Sequence, residues 1–214
     1  MKKLVILGGA GIGMIAAAIA RELESYEILG FLNDSLPIGS QIGKFIKFPV
    51  IGTSKDIVKY LDADCDFFIA YVGLGNEAET FKKIEGLGIP DERLATLIHP
   101  TAIIPRSMCS IGAGVLMAPL AQLSPDITLE NNVILLANSF VGHDTLLKKF
   151  AHVATNGVVG ANVSLGRGVH VGSNATIREK VVVGDFSLIG AGSVILNDID
   201  SNSVWVGNPA RKLR

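Results

Sequence analysis

Three things that carry function in many proteins are scarce in this sequence. Cysteine occurs only as Cys65 and Cys109, far apart and without CxxC spacing, which argues against a disulfide framework or a cysteine zinc site and fits a reducing cytoplasm. Charge of one sign is missing: the formal net charge is −1 and the pI about 6.4, so there is no basic excess to hold a nucleic-acid backbone. Long apolar runs are missing too. Leu4 to Leu7 is shorter than a signal-peptide core, and no window approaches the roughly 20 apolar residues of a membrane span. Aromatic residues make up only 6%, which speaks for many short strands and tight turns rather than a large aromatic core.

Glycine, by contrast, occurs 24 times, and its placement divides the chain. In the first part, a short β-rich run from Leu4 to Leu7 enters Gly8-Gly9-Ala10-Gly11-Ile12-Gly13 and then the apolar stretch Met14 to Leu23. That is strand, glycine turn, helix. A second run, Ile28 to Leu32, ends in Asn33-Asp34, where a Rossmann-type unit places a ribose-binding carboxylate. A helix is predicted from about Ser54 to Leu61, a strand from Asp66 to Val72 and another helix from about Glu77 to Leu87. The glycine pattern departs from GxGxxG, because Ala10 holds the second position, so it is a weak dinucleotide signal. Residues 1–98 are therefore expected to form a small Rossmann-like α/β unit suited to a mononucleotide or sugar-nucleotide. Its ligand would lie beyond the strand ends, at Gly8 to Gly13, Asn33-Asp34 and Tyr71 to Asn76, with Gly11, Ile12, Gly13, Asn33, Asp34 and Gly73 as the candidate contacts. The plainer alternative is that these glycines only make a tight turn.

From Cys109 onward the period changes to six. Counting in sixes from Ile111 to Ile195 returns fifteen apolar residues without exception. The residue two places earlier is small or β-branched in every unit, and glycine follows directly at 112, 142, 160, 166, 172, 184 and 190. This register predicts a left-handed parallel β-helix over residues 99–214, three units to a coil and about five coils. Residues 18 apart then stack, which aligns His152 with His170 and Asn138 with Asn156 and Asn174. The asparagine column has a structural explanation, since Asn tolerates left-handed corners. His170 reads as a solvent-facing residue of the coil.

Gly142-His143-Asp144 interrupts the apolar pattern. A histidine near neutral pKa can take a proton from an attacking amine or hydroxyl, and an adjacent carboxylate can orient it. No Gly-x-Ser-x-Gly is present and Cys109 is an inward repeat residue, so direct attack is expected over a covalent acyl-enzyme. No metal is expected, because the HxxxxH pair of the zinc-binding hexapeptide helices is missing.

Taken with the junction Leu97-Ile98-His99-Pro100 and the terminal Val204-Trp205-Val206-Gly207-Asn208-Pro209-Ala210-Arg211, these features make the chain resemble the bacterial sugar acyltransferases. That family includes sialic acid O-acetyltransferase and the N-acetyltransferases of nucleotide-linked 4-amino sugars. The resemblance implies His143 as general base, Asp144 as its orienting partner, and His152 with Asn156, Gly172 and Gly190 in the acetyl-CoA groove. It also implies a homotrimer, with the sugar-nucleotide held by the N-terminal part. Two positions depart from the family pattern: Ile12 replaces a histidine between glycines, and Asn33 replaces the first residue of an acidic pair. The expected activity is acetyl transfer to an amino group of a nucleotide-activated sugar. O-acetylation of a sugar and non-catalytic sugar-nucleotide binding are the alternatives.

Overall fold

The structure, a computed structural model, describes residues 1–71 and 77–214. Leu4 to Leu7 are all fully buried, so the first run becomes a central strand, β1 (Lys2–Leu7), followed by α1 (Ile12–Glu22) and β2 (Tyr26–Leu32). Next come β3 (Gln41–Ile42), β4 (Phe48–Gly52), α2 (Ile57–Asp62), β5 (Asp66–Ile69) and α3 (Glu77–Glu85). The sheet order is β3-β4-β2-β1-β5, parallel except for the β3–β4 pair. The chain builds outward from β1 through β2 to β4 and returns to β5 on the other side of β1. The topological switch point, where such sheets open a crevice, therefore falls between the ends of β1 and β5.

Gly13 shows why the helix follows the strand as it does. A Cβ there would lie 2.7 Å from Cε1 of Phe31, so glycine lets α1 press onto β2. The predicted helix from Ser54 is a 3-10 turn, Ser54–Asp56, that runs into α2. The strand ends at Ile69, and the predicted continuation to Val72 reaches outside the described residues.

The hexad register is reproduced by a left-handed parallel β-helix. Of the fifteen apolar residues, fourteen are at most 1% exposed and Ile111 is half-buried, each contributing roughly 1.5–3 kcal/mol by leaving water. The glycines that follow have a spatial cause. At 142, 160, 166 and 172 a Cβ would come within 2.6 Å of the backbone nitrogen of the next coil. Every corner carries one left-handed residue per coil: Asp126, Asp144, Asn162 and Lys180 on one edge, with φ of 56–63°, and Asn138, Asn156 and Asn174 on another.

The β-helix begins earlier and ends later than the count in sixes. β6 (Leu97–Ile98) pairs with Leu116–Met117, and Val204 pairs with Leu188. The offsets of 19 and 16 residues break the hexad phase, so a strict period of six misses both. The face carrying Leu116, Ile134, His152, His170 and Leu188 is the docking face. Leu116, Ala118 and Ile134 share one core with Ile6, Ala16, Phe31 and Leu97, which fixes the α/β layer upon the β-helix.

Further along that face, α3 docks through Phe81. Its ring lies 5.2 Å from Phe150 and 5.7 Å from Phe186, both edge-on. Phe150 and Phe186 are left-handed corner residues on either side of Gly168, so the glycine leaves a notch between two rings and Phe81 fills it. Arg167 lies over the Phe81 and Phe186 rings and is held by Asp185. Cation–π and aromatic contacts of this kind contribute about 1 kcal/mol each.

Candidate active site

His143 stands on the corner opposite the docking face, between strands Phe140–Val141 and Leu146–Leu147. The next residue, Asp144, has φ 56°, the left-handed state that each coil demands here and that Asp accommodates. The same turn brings the carboxylate back onto the imidazole: Nδ1 of His143 lies 2.6 Å from Oδ2 of Asp144, and both side chains are more than half exposed. With Nδ1–H donating to the carboxylate, Nε2 is left as a lone-pair acceptor on an exposed side chain. That is the arrangement a general base needs.

His152 lies nine residues on, half a coil away, on the docking face. It is 6% exposed, and its ring meets that of His170 edge to face. Burial, with the neighbouring His170 adding to it, pulls the His152 imidazole down to about 3, so the ring is neutral. His170 is half-buried under α3. This corrects the expectation of a solvent-facing coil residue: α3 covers that part of the face, which spacing in sixes cannot reveal. Between α3 and the docking face a cavity of about 40 Å³ is lined by Tyr71, Phe81, Asn132, His152 and His170, among others.

Of the remaining groove residues, Asn156 is an exposed corner residue whose amide donates to Oδ1 of Asn174 at 3.1 Å. Gly172 and Gly190 sit at the end of docking-face strands. A Cβ on Gly172 would meet the nitrogen of Ala191 at 2.6 Å, and one on Gly190 would meet Val206 at 2.8 Å.

At the strand ends of the α/β layer a crevice of about 460 Å³ is lined by Asp34, Ser35, Ser54, Tyr71, Lys82 and Lys83, among others. That volume suits a nucleotide-sized ligand. Gly11 caps α1 with φ 79° and opens onto free space, whereas Ile12 is half-buried against the core and Gly13 is buried. Asn33 is committed within the chain: its amide donates to the Gly8 carbonyl, and its oxygen accepts from Ser35 and Leu36 nitrogens. Asp34 accepts from the Ser54 nitrogen at 2.7 Å. Gly73 lies outside the described residues. The lysines of α3 were not foreseen, because their relevance depends on α3 lying beside the crevice.

Among the described residues no group of three or more His, Cys, Asp or Glu is placed to hold a metal ion, and no helix is long and apolar enough to cross a membrane. A hexapeptide β-helix with a carboxylate-oriented histidine on its corner, joined to a small parallel sheet with an open crevice, defines a hexapeptide-repeat transferase. Residues 3–79 match the family described as the PglD N-terminal domain, and residues 162–197 the bacterial transferase hexapeptide family. The acetyltransferase domain of PglB from Neisseria gonorrhoeae FA1090 is 32% identical, with 100% of each chain covered and a TM-score of 0.83. The same domain in complex with acetyl coenzyme A covers 99% of each chain, with a TM-score of 0.82. PerB from Caulobacter crescentus, in complex with CoA and GDP-perosamine, shares the fold at 21% identity and a TM-score of 0.80, over 100% of this chain and 98% of its own. The chain belongs to the hexapeptide-repeat acetyltransferase family that includes this PglB domain.

Proposed function

We propose that the protein transfers an acetyl group from acetyl-CoA to an amino group of a nucleotide-activated amino sugar, with His143 as general base. The observation that carries this reading is the 2.6 Å contact between His143 Nδ1 and Asp144 Oδ2 on an exposed corner, in a chain matched end to end by an acetyltransferase domain. As the amine nitrogen bonds the acetyl carbon, its proton passes to Nε2 of His143. Asp144 holds the imidazole and stabilises its cation, and the departing thiolate takes the proton back. The nucleotide occupies the crevice lined by Asp34, Ser35 and Tyr71, where Lys82 and Lys83 supply positive charge for phosphates.

The active protein is a homotrimer. His143 stands on the corner opposite the face that carries His152, so the two cannot meet at one substrate within one chain. A neighbouring chain packed alongside brings one chain's His143 to the other's docking face, where His152 contacts the thioester and Asn156, Gly172 and Gly190 line the coenzyme groove. The soluble substrates and the reduced cysteines, Cys65 and Cys109, suit work in the cytoplasm.

A thiol-release assay with acetyl-CoA and a panel of nucleotide-linked amino sugars tests the activity. Coenzyme A release with an amino sugar, and none with its hydroxyl counterpart, is expected. Release with the hydroxyl sugar alone assigns O-acetylation instead, and no release with any acceptor refutes catalysis.

A further inference from the structure

The crevice at the strand ends and the cavity beneath α3 share Tyr71, Thr80 and Ile84. One ligand can therefore lie across both. The inner cavity, about 40 Å³, has room for a single small group, about the size of a water molecule or a hydroxyl.

Its wall has two characters. Phe81, Ile84, Ile134 and Phe150 form an apolar side. The same space is lined by Tyr71, Asn132 and His152, and the hydroxyl of Tyr71, Oδ1 of Asn132 and both ring nitrogens of His152 are buried with no hydrogen-bond partner among the described residues. Asn132 is 7% exposed and His152 6%. Leaving one such atom unsatisfied costs about 1–3 kcal/mol, and native chains rarely collect several around one space without something to pair them.

Among the described residues no Asp, Glu, Lys or Arg lines the inner cavity, so an ion would lose its hydration there without a counter-charge. Burial also keeps the Tyr71 phenol protonated, pushed up to about 12, and the His152 ring neutral. Lys82 and Lys83 line only the outer crevice. A ligand with an anionic end and a neutral polar end thus has one orientation: anionic end outward, neutral end beneath α3.

We infer that Tyr71 and Asn132, with one nitrogen of His152, form a buried subsite that takes a small uncharged polar substituent of the acceptor sugar, a hydroxyl. This rests on the acceptor reading proposed above and deepens it, because it makes Tyr71 and Asn132 residues that select the sugar. A neutral imidazole carries one donor and one acceptor. His152 can therefore either donate to that substituent or accept from it.

Steady-state kinetics of Tyr71→Phe and Asn132→Gly test this. The first removes only the hydroxyl; the second suits the φ of 61° at that corner and removes the amide. The expected result is a KM for the acceptor raised about tenfold in each variant, as for loss of one buried hydrogen bond, with the KM for acetyl-CoA unchanged. Among deoxy analogues of the acceptor, one should bind the unsubstituted protein and Tyr71→Phe equally, because its missing substituent is the group held there. If both variants keep the acceptor KM while the unsubstituted protein turns over, the cavity takes water only and this inference fails alone. If the unsubstituted protein releases no coenzyme A with any nucleotide-linked sugar, the acceptor reading and this inference fail together.

Discussion

The His152 and His170 rings meet edge to face, their centroids 4.5 Å apart and their planes 88° to each other. Both stand on the docking face, on neighbouring strands in register. Burial holds His152 at about 3, below its unfolded value of about 6.5. Between those values the unfolded chain binds a proton that the folded chain refuses, so stability is complete above about pH 6.5 and is lost as the pH falls toward 3. The loss approaches about 1.4 kcal/mol per pH unit for one such group. Urea denaturation from pH 7 to pH 4 should show this slope, and His152→Asn should flatten it. An equal slope in both proteins would assign the acid sensitivity to other groups.

Replacing His143 should remove turnover and leave the fold intact, because its side chain is 57% exposed. His143→Ala is expected to lower kcat by about 10²–10⁴, the usual contribution of a positioned base. Asp144→Asn is the sharper variant: Asn162 occupies the equivalent corner one coil on, so the backbone accepts Asn and only the carboxylate charge is lost. Its thermal midpoint should match the unsubstituted protein, with kcat reduced by less than in His143→Ala.

The Phe81 clasp can be measured as a coupling. Phe81→Ala and Phe186→Ala each remove one partner of a ring pair 5.7 Å apart. A double-mutant cycle in chemical denaturation should give a coupling of about 1 kcal/mol. Additive effects would mean that α3 is held by other contacts.

Much of this architecture is legible from residue types alone, and what is hidden has a common cause. The hexad register is local, since each coil repeats the same steric demands, and the inward residues, the glycines and the left-handed corners all follow from it. Asp144 is legible twice over, as a corner residue and as a carboxylate beside His143. The phase breaks at Leu97 and Val204 are not, because they depend on pairing offsets of 19 and 16 residues. The burial of His170 and Asn132 and the proximity of Lys82 to Asp34 depend on how α3 packs across 48 or more residues of sequence. One signal was available: Phe150 and Phe186 occupy corners where neighbouring coils place glycine, and a bulky residue at positive φ asks for a compensating contact. Phe81 supplies it. Asn33 has a further role that no spacing rule records, as its side chain staples the Gly8 carbonyl to residues 35 and 36.

Gly172 and Gly190 should respond differently to a methyl group. In Gly172→Ala the new Cβ would press on the backbone of the next coil, 2.6 Å from the Ala191 nitrogen, whereas in Gly190→Ala it meets the Val206 side chain at 2.8 Å. Backbone cannot turn aside and a side chain can. Gly172→Ala should cost about 1–3 kcal/mol in denaturation without any coenzyme present, and Gly190→Ala less. Equal stability of Gly172→Ala and the unsubstituted protein would leave coenzyme contact as the reason for glycine there.

The half-coil separation of His143 and His152 makes the shared site testable by mixing. If each site takes His143 from one chain and His152 from its neighbour, His143→Ala and His152→Asn are each inactive alone, yet their mixed trimers contain sites in which both donors are intact. Random assembly from equal amounts gives such sites with a frequency of about one quarter, since the two choices are independent around a closed ring of heterologous contacts. Denaturing the two variants together and refolding them should therefore restore about a quarter of the unsubstituted activity per site. A site contained within one chain restores none, because every chain in the mixture carries one lesion. Light scattering on the same sample supplies the control: a mass of one 22.6 kDa chain would remove the basis for any exchange between chains.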